Sequence, residues 1–546
     1  MARVIPVASA RGFWAVARTS PQKRLRKSAI TRAQECVDAA VGAGQHCKAR
    51  VQLAFLPFSM PSRRQSCCWR RPYVPRRDSA GEARMNALQR WAWGLGPVLA
   101  LLTGMLLSRF GIAAPACWCA AVSIWCATWW IFQPVSLPVT AMIPLALFPF
   151  MGILSSQDIA RCYGNPIILM VLGGFLLSVG MEQSGAHRRV AIGILKCVGR
   201  GHESQVVFGF LLASVLISMW MSNTATTLIL LPVALATLEG ADCRKRLAPP
   251  LLLAIAHGST LGGMGTPIGA PANLMFIASY RSSTGREFSF FDWMAFALPI
   301  VAVMIPVIWF WLTRGLAKER VRIDLDPGPW TEAECRVLTV FGLAALAWLT
   351  RTVPYGGWSA LLQLPDVGDE TVALSAALML FLLPDGRGKR LLTWESAQKI
   401  PWGIPLLLAG GIAISRGFES TGLNDSLGNL FAQLAGLPVL VMMLQICLLA
   451  TFVSELASNT AVTAMLMPIL ASAAGASGVD PILLMAPGVI GASCGFMLPV
   501  ATGPSTVAFG TGEIPPRFMA RVGLALDLSS IVVTAGVCYL LFAPKA

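Results

Sequence analysis

The sequence predicts an all-α polytopic membrane protein, with about eleven transmembrane helices and two re-entrant hairpins in two inverted-topology repeats. Three observations carry that expectation. Hydrophobic residues fill 55% of the 546 positions and charged residues 13%, about half the charged share of a soluble domain, and mean hydropathy is +0.64. Apolar stretches able to cross the roughly 30 Å hydrocarbon layer as helices recur along most of the length. A set of polar and glycine motifs also occurs twice, in one order and at nearly one spacing.

Residues 1–84 come first. They hold 17 Lys/Arg against 4 Asp/Glu, so 13 of the 16 net positive charges stand there, and the rest of the chain is nearly balanced at 26 against 23. The basicity therefore gives no argument for a nucleic-acid partner. Stretches such as PQKRLRKSAI and PSRRQSCCWRRPYVPRRDS are rich in Arg, Pro and Ser without apolar periodicity. They lack the apolar core and cleavage site of a secretory signal. The segment reads as a basic, disordered cytoplasmic extension, or as chain upstream of a true start at Met85, with a targeting peptide as the alternative.

From there, apolar segments fall near 91–108, 111–132, 136–154, 166–186, 205–220, 224–238, 248–264, 267–280, 290–313, 334–350, 371–384, 401–415, 438–457, 460–474, 481–498 and 519–543. Several are too short to span alone. Residues 203–239 and 438–475 read as hairpins that enter and return, and 248–280 and 481–512 as helices broken in the middle. Counting each broken helix once gives the eleven crossings. With the N-terminus in the cytoplasm, the clusters Arg188/Arg189/Lys196/Arg200, Arg244/Lys245/Arg246, Arg314/Lys318/Arg320/Arg322, Arg387/Lys389/Arg390 and Arg517/Arg521 all fall inside, which satisfies the positive-inside rule. The protein is expected in the plasma (inner) membrane with its C-terminus outside. The aromatic run WCATWWIF reads as an interfacial belt.

The repeat divides the chain into halves at 85–330 and 331–546. LGGFLLSVGMEQSG (172–185) and AGGIAISRGFESTG (409–422) share Gly173/Gly410, Gly174/Gly411, Glu182/Glu419 and Gly185/Gly422 at an offset of 237. WMSNTATTLILLP and ELASNTAVTAMLMP follow at 236, pairing Ser218/Ser454, Ser222/Ser458, Asn223/Asn459, Thr224/Thr460, Thr227/Thr463 and Pro232/Pro468. GTPIGAPAN (265–273) answers LPVATGPST (498–506) more weakly at 232, pairing Gly269 with Ala501 and Asn273 with Ser505. The charge-derived topology opens the first hairpin inward and the second outward. Inverted halves of this kind build many secondary transporters.

Backbone at membrane depth must bond internally unless it lines a cavity. The Gly/Pro/Thr-rich stretches Gly265–Asn273 and Pro499–Ser505 cannot be continuous helix. With the two SNT tips they enclose a small polar chamber. Carbonyls freed at broken helix ends attract small hard cations, and N–H groups at helix starts attract anions. Two pseudo-symmetric loop pairs therefore predict two cation sites with an anion between the SNT tips. The chamber holds no Arg or Lys, so a divalent anion would lean on hydroxyls, amides, helix ends and the bound cations. Moving each net charge inward gains about 2.3 kcal/mol at 100 mV. Ser and Thr in membrane helices often serve packing alone, but two copies at matching positions, each followed by a break, favour the site. Glu182 and Glu419 read as residues near helix ends, interfacial or pairing with Arg188 or Arg416, with intramembrane proton-relay carboxylates as the alternative. Symmetry gives Glu455 no role, since Met219 is its counterpart, and His257 reads as packing. The 14 Cys and 4 His are dispersed, with no metal-site spacing.

On these residues the chain resembles the divalent anion:sodium symporters, the dicarboxylate, citrate and sulfate carriers. The resemblance covers 91–543, including WWIFQPVSLPVTAMIPLALFPFMGI, LGGFLLSVGMEQSGAHRRVAI, both SNT motifs and MLPVATGPSTVAFGTGEI. It implies an elevator-type homodimer with Na⁺ as the coupling ion. It implies one Na⁺ site at Ser218, Ser222, Asn223 and Gly269, and another at Ser454, Ala457, Asn459 and Ala501. Substrate would touch Ser222, Asn223, Thr224, Ser458, Asn459, Thr460 and Thr502. The family often carries Pro-Pro-Asn after each break. Here Gly269-Ala270-Pro271-Ala272-Asn273 and Ala501-Thr502-Gly503-Pro504-Ser505 depart from it.

The expected activity is Na⁺-coupled import of a small divalent anion, foremost a C4-dicarboxylate such as succinate, malate or fumarate. Sulfate, another oxyanion or citrate on the same fold, proton coupling and anion exchange are the alternatives. An intramembrane enzyme would need a convergent catalytic pair such as His/Glu, and the sequence offers none, so the chain is not read as an enzyme.

Overall fold

The computed structural model describes residues 87–199, 201–239, 243–317, 319–321, 328–353, 356–423 and 438–543. The expectation for residues 1–84 lies outside them. The described chain is helical apart from a short antiparallel pair, β1 (Gly201–His202) with β2 (Arg320–Val321), and an isolated bridge between Pro384 and Arg390.

The first half runs α1 (Ala87–Arg109), α2 (Ala114–Phe132), α3 (Leu137–Phe150), α4 (Ser156–Tyr163), α5 (Pro166–Ser184), α6 (Ala186–Val198), α7 (Glu203–Ser218), α8 (Asn223–Glu239), α9 (Arg244–Met264), α10 (Pro271–Thr284) and α11 (Phe290–Thr313). The second runs α12 (Glu332–Thr350), α13 (Gly357–Leu361), α14 (Asp369–Leu382), α15 (Trp394–Ala397), α16 (Gly403–Thr421), α17 (Val439–Leu456), α18 (Asn459–Ser477), α19 (Pro481–Ser493), α20 (Gly503–Phe509) and α21 (Pro516–Phe542). Each apolar run of the sequence becomes a helix, and both breaks fall where the Gly/Pro-rich stretches put them. Among the described residues, eight helical segments are long and apolar enough to cross a membrane alone, and α3, α7, α8, α18 and α19 are shorter apolar helices. One of the eight is α17, an arm of the second hairpin, at 18 residues.

The shared glycines have distinct physical uses. Gly185 and Gly422 end α5 and α16 in the left-handed region, with φ of 76° and 67°, which residues with a Cβ rarely adopt. Gly173 and Gly410 permit close crossings. A Cβ on Gly173 would stand 2.6 Å from Ala373 Cβ, and one on Gly410 2.7 Å from Ala141 Cβ. Ala141 and Ala373 are themselves 232 residues apart. So α5 packs on α14 of the other half and α16 packs on α3, and each Gly-Gly helix interlocks the repeats.

Buried charge pins the ends of this frame. The Arg351 Nε meets Asp369 Oδ1 at 2.6 Å and its Nη2 meets Glu287 Oε1 at 2.6 Å, while Asp369 Oδ2 accepts the Phe290 N–H at 2.8 Å. These bonds join α12, α14 and the start of α11. Arg246 likewise reaches Glu203 at 2.6 Å and Glu319 at 2.9 Å. Glu203, Cys243 and Glu319 come within 4.8 Å of one another, a grouping that their separation in sequence hides. Because Arg246 already bonds both carboxylates, it is an ion-pair node.

Two tryptophans of the aromatic run depart from expectation. Trp129 and Trp130 are buried between α1, α2 and α3, donating to Ala92 O at 3.1 Å and Leu137 O at 3.3 Å. Helix packing covers them, so they form no lipid-facing belt.

Candidate ion and anion site

From Leu247 to Met264, helix α9 is buried, against α7, α8, α11 and α20. Its C-terminal end therefore meets the first hairpin and both breaks inside the protein. There the backbone leaves the helix at Gly265 and resumes at Pro271.

The first loop pair brings Ser218, Asn223 and Gly269 together. Ser218 ends α7, Ser222 is exposed, and Asn223 and Thr224 open α8 half-buried. The Asn223 amide lies 2.9 Å from Ser218 Oγ. With its nitrogen turned toward the carbonyls, it also reaches Gly269 O and Ser259 O, each at 3.3 Å. Gly263 packs against it, and a Cβ there would collide with the Asn223 amide. A Cβ on Gly269 would come 2.6 Å from Gly263 O. Ser218, Asn223 and Gly269 thus meet only because two of the contacting residues lack side chains. Thr227 braces the start of α8, donating to Asn223 O at 3.0 Å and lying 3.0 Å from Ser259 Oγ.

The second loop pair mirrors this with smaller groups. Ser454 Oγ donates to Thr451 O at 2.8 Å, and Asn459 Nδ2 to Ser493 O at 3.3 Å. Thr463 bonds Asn459 O at 2.9 Å, as Thr227 does in the first half. Ala457 and Ala501 are buried, and Ser458 and Thr460 are half-buried at the start of α18. Gly495 is the counterpart of Gly263 at the 232 offset. A Cβ there would stand 3.1 Å from Ala501 Cβ and 3.5 Å from Ser454 Oγ. The offset could have singled out this glycine pair directly.

Between the halves, the Thr224 hydroxyl occupies the space a side chain on Gly503 would need. Thr260 Oγ1 lies 3.5 Å from Thr502 Oγ1, which caps α20 by accepting the Ser505 N–H at 3.2 Å. The SNT helices α8 and α18 pack against the opposite half's broken pair, α8 on α20 and α18 on α10, rather than on one another. Both motifs sit at helix starts, as anion binding requires.

Three groups escaped the reading of the sequence. Asn273 is wholly buried, and its Nδ2 donates to Gly263 O and Thr266 O, both at 2.7 Å, clamping the first break. Ser505, its sequence counterpart, bonds only to Thr502 among the described hydrogen bonds. Glu455, expected to have no role, accepts the Met497 and Leu498 N–H groups at 2.7 Å each. Asp527 on α21 accepts the Phe496 N–H at 3.1 Å. No motif marks Asp527, since only tertiary packing brings α21 to the second break. His257 is buried edge-on to the Phe496 ring, with centroids 5.1 Å apart.

A cavity of about 570 Å³ opens away from these loops, between α10 and α16. It is lined by Arg281, Ser282, Arg416, Glu419 and Asp158. Glu419 accepts from Ser282 Oγ at 3.1 Å across this gap, rather than forming an ion pair with Arg416.

Comparison with known proteins agrees with this architecture. Residues 127–488 match the family model CitMHS, described as citrate transporter. A protein of Staphylococcus saprophyticus named sodium-dependent dicarboxylate transporter SdcS is 35% identical over 474 residues, 82% of this chain and 91% of its own length. Its namesake in Staphylococcus aureus is 34% identical over 470 residues, 82% and 89%. Among solved structures, the YdaH transporter of Alcanivorax borkumensis, described as having an unusual topology, superimposes with a TM-score of 0.52 at 16% identity, covering 71% of this chain and 88% of that one. With its paired SNT hairpins and broken helices, and with relatives matched over most of its length, the chain belongs to the divalent anion:sodium symporter family.

Proposed function

We propose that this protein is a secondary active transporter that carries Na⁺ together with a small divalent anion, a C4-dicarboxylate such as succinate, malate or fumarate, across the plasma (inner) membrane. The observation that carries the reading is the twice-built unit of SNT helix start and broken helix, in a chain whose relatives are named sodium-dependent dicarboxylate transporters. One Na⁺ is held at Ser218, Ser222, Asn223 and Gly269. The second is held at Ser454, Ala457, Asn459 and Ala501. The anion lies against Ser222, Asn223, Thr224, Ser458, Asn459, Thr460 and Thr502. With no Arg or Lys in the chamber, the dianion depends on the two Na⁺ charges and on the N-termini of α8 and α18. Na⁺ entry down its gradient thereby drives uptake. No chemical step is assigned, because the loops hold transported species without a nucleophile–base pair.

An asymmetry of packing supports alternating access by an elevator. Helix α10 lies against α16 and α5, whereas its repeat counterpart α20 packs chiefly on α8 and α9. The site is thus sealed against the interlocked frame on the α10 side and freer on the α20 side. Exchanging these contacts exposes the site to the other face. The N-terminus is cytoplasmic and the C-terminus outside, and the protein works as a homodimer.

A second reading, citrate, is favoured by the description of the matching family model. A thermal-shift screen of purified protein with succinate, malate, fumarate, citrate and sulfate, each with and without Na⁺, separates the two. The expected result is stabilisation by a C4-dicarboxylate only when Na⁺ is present. Vesicle uptake with choline in place of Na⁺ should fall to background. Undiminished uptake in choline would defeat Na⁺ coupling.

A further inference from the structure

The cavity between α10 and α16 has a charge pattern that the ion site does not use. Arg281, exposed on α10, and Arg416, half-buried on α16, both line it. Among the described residues, neither forms a salt bridge. The two acids on its wall are already engaged. Asp158 Oδ2 accepts from Ser155 Oγ at 2.6 Å and from the Ser155 N–H at 3.2 Å, and its Oδ1 faces Arg161 at 3.5 Å. Glu419 accepts from Ser282 Oγ at 3.1 Å. Arg416 acts on both acids through space, so the charges count together. Arg161, Arg281 and Arg416 stand against Asp158 and Glu419, an excess of one positive charge. The N-terminus of the 19-residue α5 adds to it, since its cap Asn165 lines the cavity and its first turn holds no acid.

Size and connection decide what the cavity can do. At about 570 Å³ it has the volume of a small-molecule pocket. Ala278 and Ile412 line both the cavity and a fissure that runs to Met467 and Pro468 of α18. The fissure has room for about 10 Å³, the lower limit for a single water. Ser279, 5% exposed and with its hydroxyl unpartnered, lies along it. An anion in the cavity is therefore cut off from the SNT loops in this conformation, and the cavity is a side site rather than a path. The repeat does not build it twice. At the offsets of 237 and 232, Arg416 answers Val179 and Arg281 answers Glu513.

Resting on the proposed dicarboxylate transport, we infer that this cavity is a second anion site whose occupation slows transport. Arg281 and Arg416 each take one carboxylate of a C4-dicarboxylate, without the help of Na⁺. The two guanidinium groups belong to helices that the proposed elevator cycle separates. A dianion held by both is bound only while the helices stay together, and a ligand that prefers one of two states shifts the population toward it. With Arg244–Arg246 in the cytoplasm, Arg281 stands at the far end of the broken helix α9–α10, so anion from outside fills the site. Charges in contact with water bind weakly, at roughly millimolar concentration. The site fills only above the concentrations that load the central one, and the Na⁺-dependent stabilisation expected there is unchanged.

The two sites separate by their need for Na⁺. Binding of succinate to purified protein is followed by saturation-transfer NMR in choline chloride of low ionic strength, without Na⁺. Wild type should bind succinate, and butyrate, with one carboxylate, distinctly more weakly. Arg281→Gln and Arg416→Gln should each bind succinate about tenfold more weakly, and Arg281→Lys and Arg416→Lys should recover most of the loss. Glu419→Gln, which keeps an acceptor for Ser282 and removes a negative charge, should bind more tightly. Asn223→Ala should bind as wild type does, because the central site takes no part. In reconstituted vesicles at saturating Na⁺, wild-type uptake should rise and then fall as external succinate enters the millimolar range, whereas Arg281→Gln should reach a plateau. No Na⁺-free binding by wild type, binding undiminished in both glutamine variants, or equal binding of butyrate would overturn the inference. So would a fall in uptake that persists in Arg281→Gln. Arg281 is exposed, so that variant decides if Arg416→Gln does not purify as folded protein. Wild type without Na⁺-dependent uptake defeats the functional reading itself, whereas Na⁺-dependent uptake without Na⁺-free binding defeats only this inference.

Discussion

Asn223 and Asn459 each begin a helix at a hairpin tip and reach across to the neighbouring break, Asn223 to Gly269 O at 3.3 Å and Asn459 to Ser493 O at 3.3 Å. In the proposed site these amides bond both cation-site backbone and substrate, and no hydrocarbon side chain can replace them there. Asn223→Ala or Asn459→Ala should therefore abolish Na⁺-dependent uptake, while size-exclusion profiles and helical circular dichroism stay at wild type. Full uptake in either would contradict the assignment. Asn273 makes a different case. Its removal frees two buried carbonyls at a cost of about 1–3 kcal/mol each. Asn273→Ala should lower the melting temperature as well as uptake, as a thermal-shift measurement without ligand would show.

At the scale of elements, the Gly-Gly helices decide whether the halves interlock. Gly410 lies 2.6 Å, at its would-be Cβ, from Ala141 O, and Gly173 is as close to Ala373. Backbone on the far side cannot yield as a flexible side chain can. Gly410→Leu should destabilise the protein by about 1–3 kcal/mol through overpacking, or prevent folding, although α16 itself would gain helix propensity. Leucine at Gly411, where a Cβ meets nothing within 4 Å, should be tolerated. Equal melting temperatures for the two variants would refute the crossing. These neighbouring glycines look alike in sequence. Only the partner helix distinguishes them.

For the whole molecule, the proposed elevator cycle requires breaking the contact between α10 and α16, marked by Ser282 Oγ to Glu419 at 3.1 Å. A Ser282→Cys/Glu419→Cys pair, with accessible native cysteines replaced by serine, should cross-link under mild oxidation and arrest uptake. Reducing agent should restore it. Uptake that continues through a cross-link verified by mass spectrometry would exclude relative motion of these helices.

Composition, hydropathy and the doubled motifs were enough to locate nearly all of the helices, both breaks, the SNT helix starts and the repeat. Each of these depends on local chemistry: an apolar run must become helix in lipid, and a Gly/Pro cluster cannot remain one. Tertiary structure alone decided what holds the site together. Glu455 appeared to have no role because repeat symmetry pairs it with Met219, yet the fold turns it toward amides some forty residues away. Asp527 reads as one acid in an apolar helix until α21 packs against the second break. Trp129 and Trp130 looked lipid-facing until α1 and α3 covered them. Sequence periodicity records which way a residue faces within its own helix. Which group it meets there is set by the packing of helices far apart in the chain, and no local pattern encodes it.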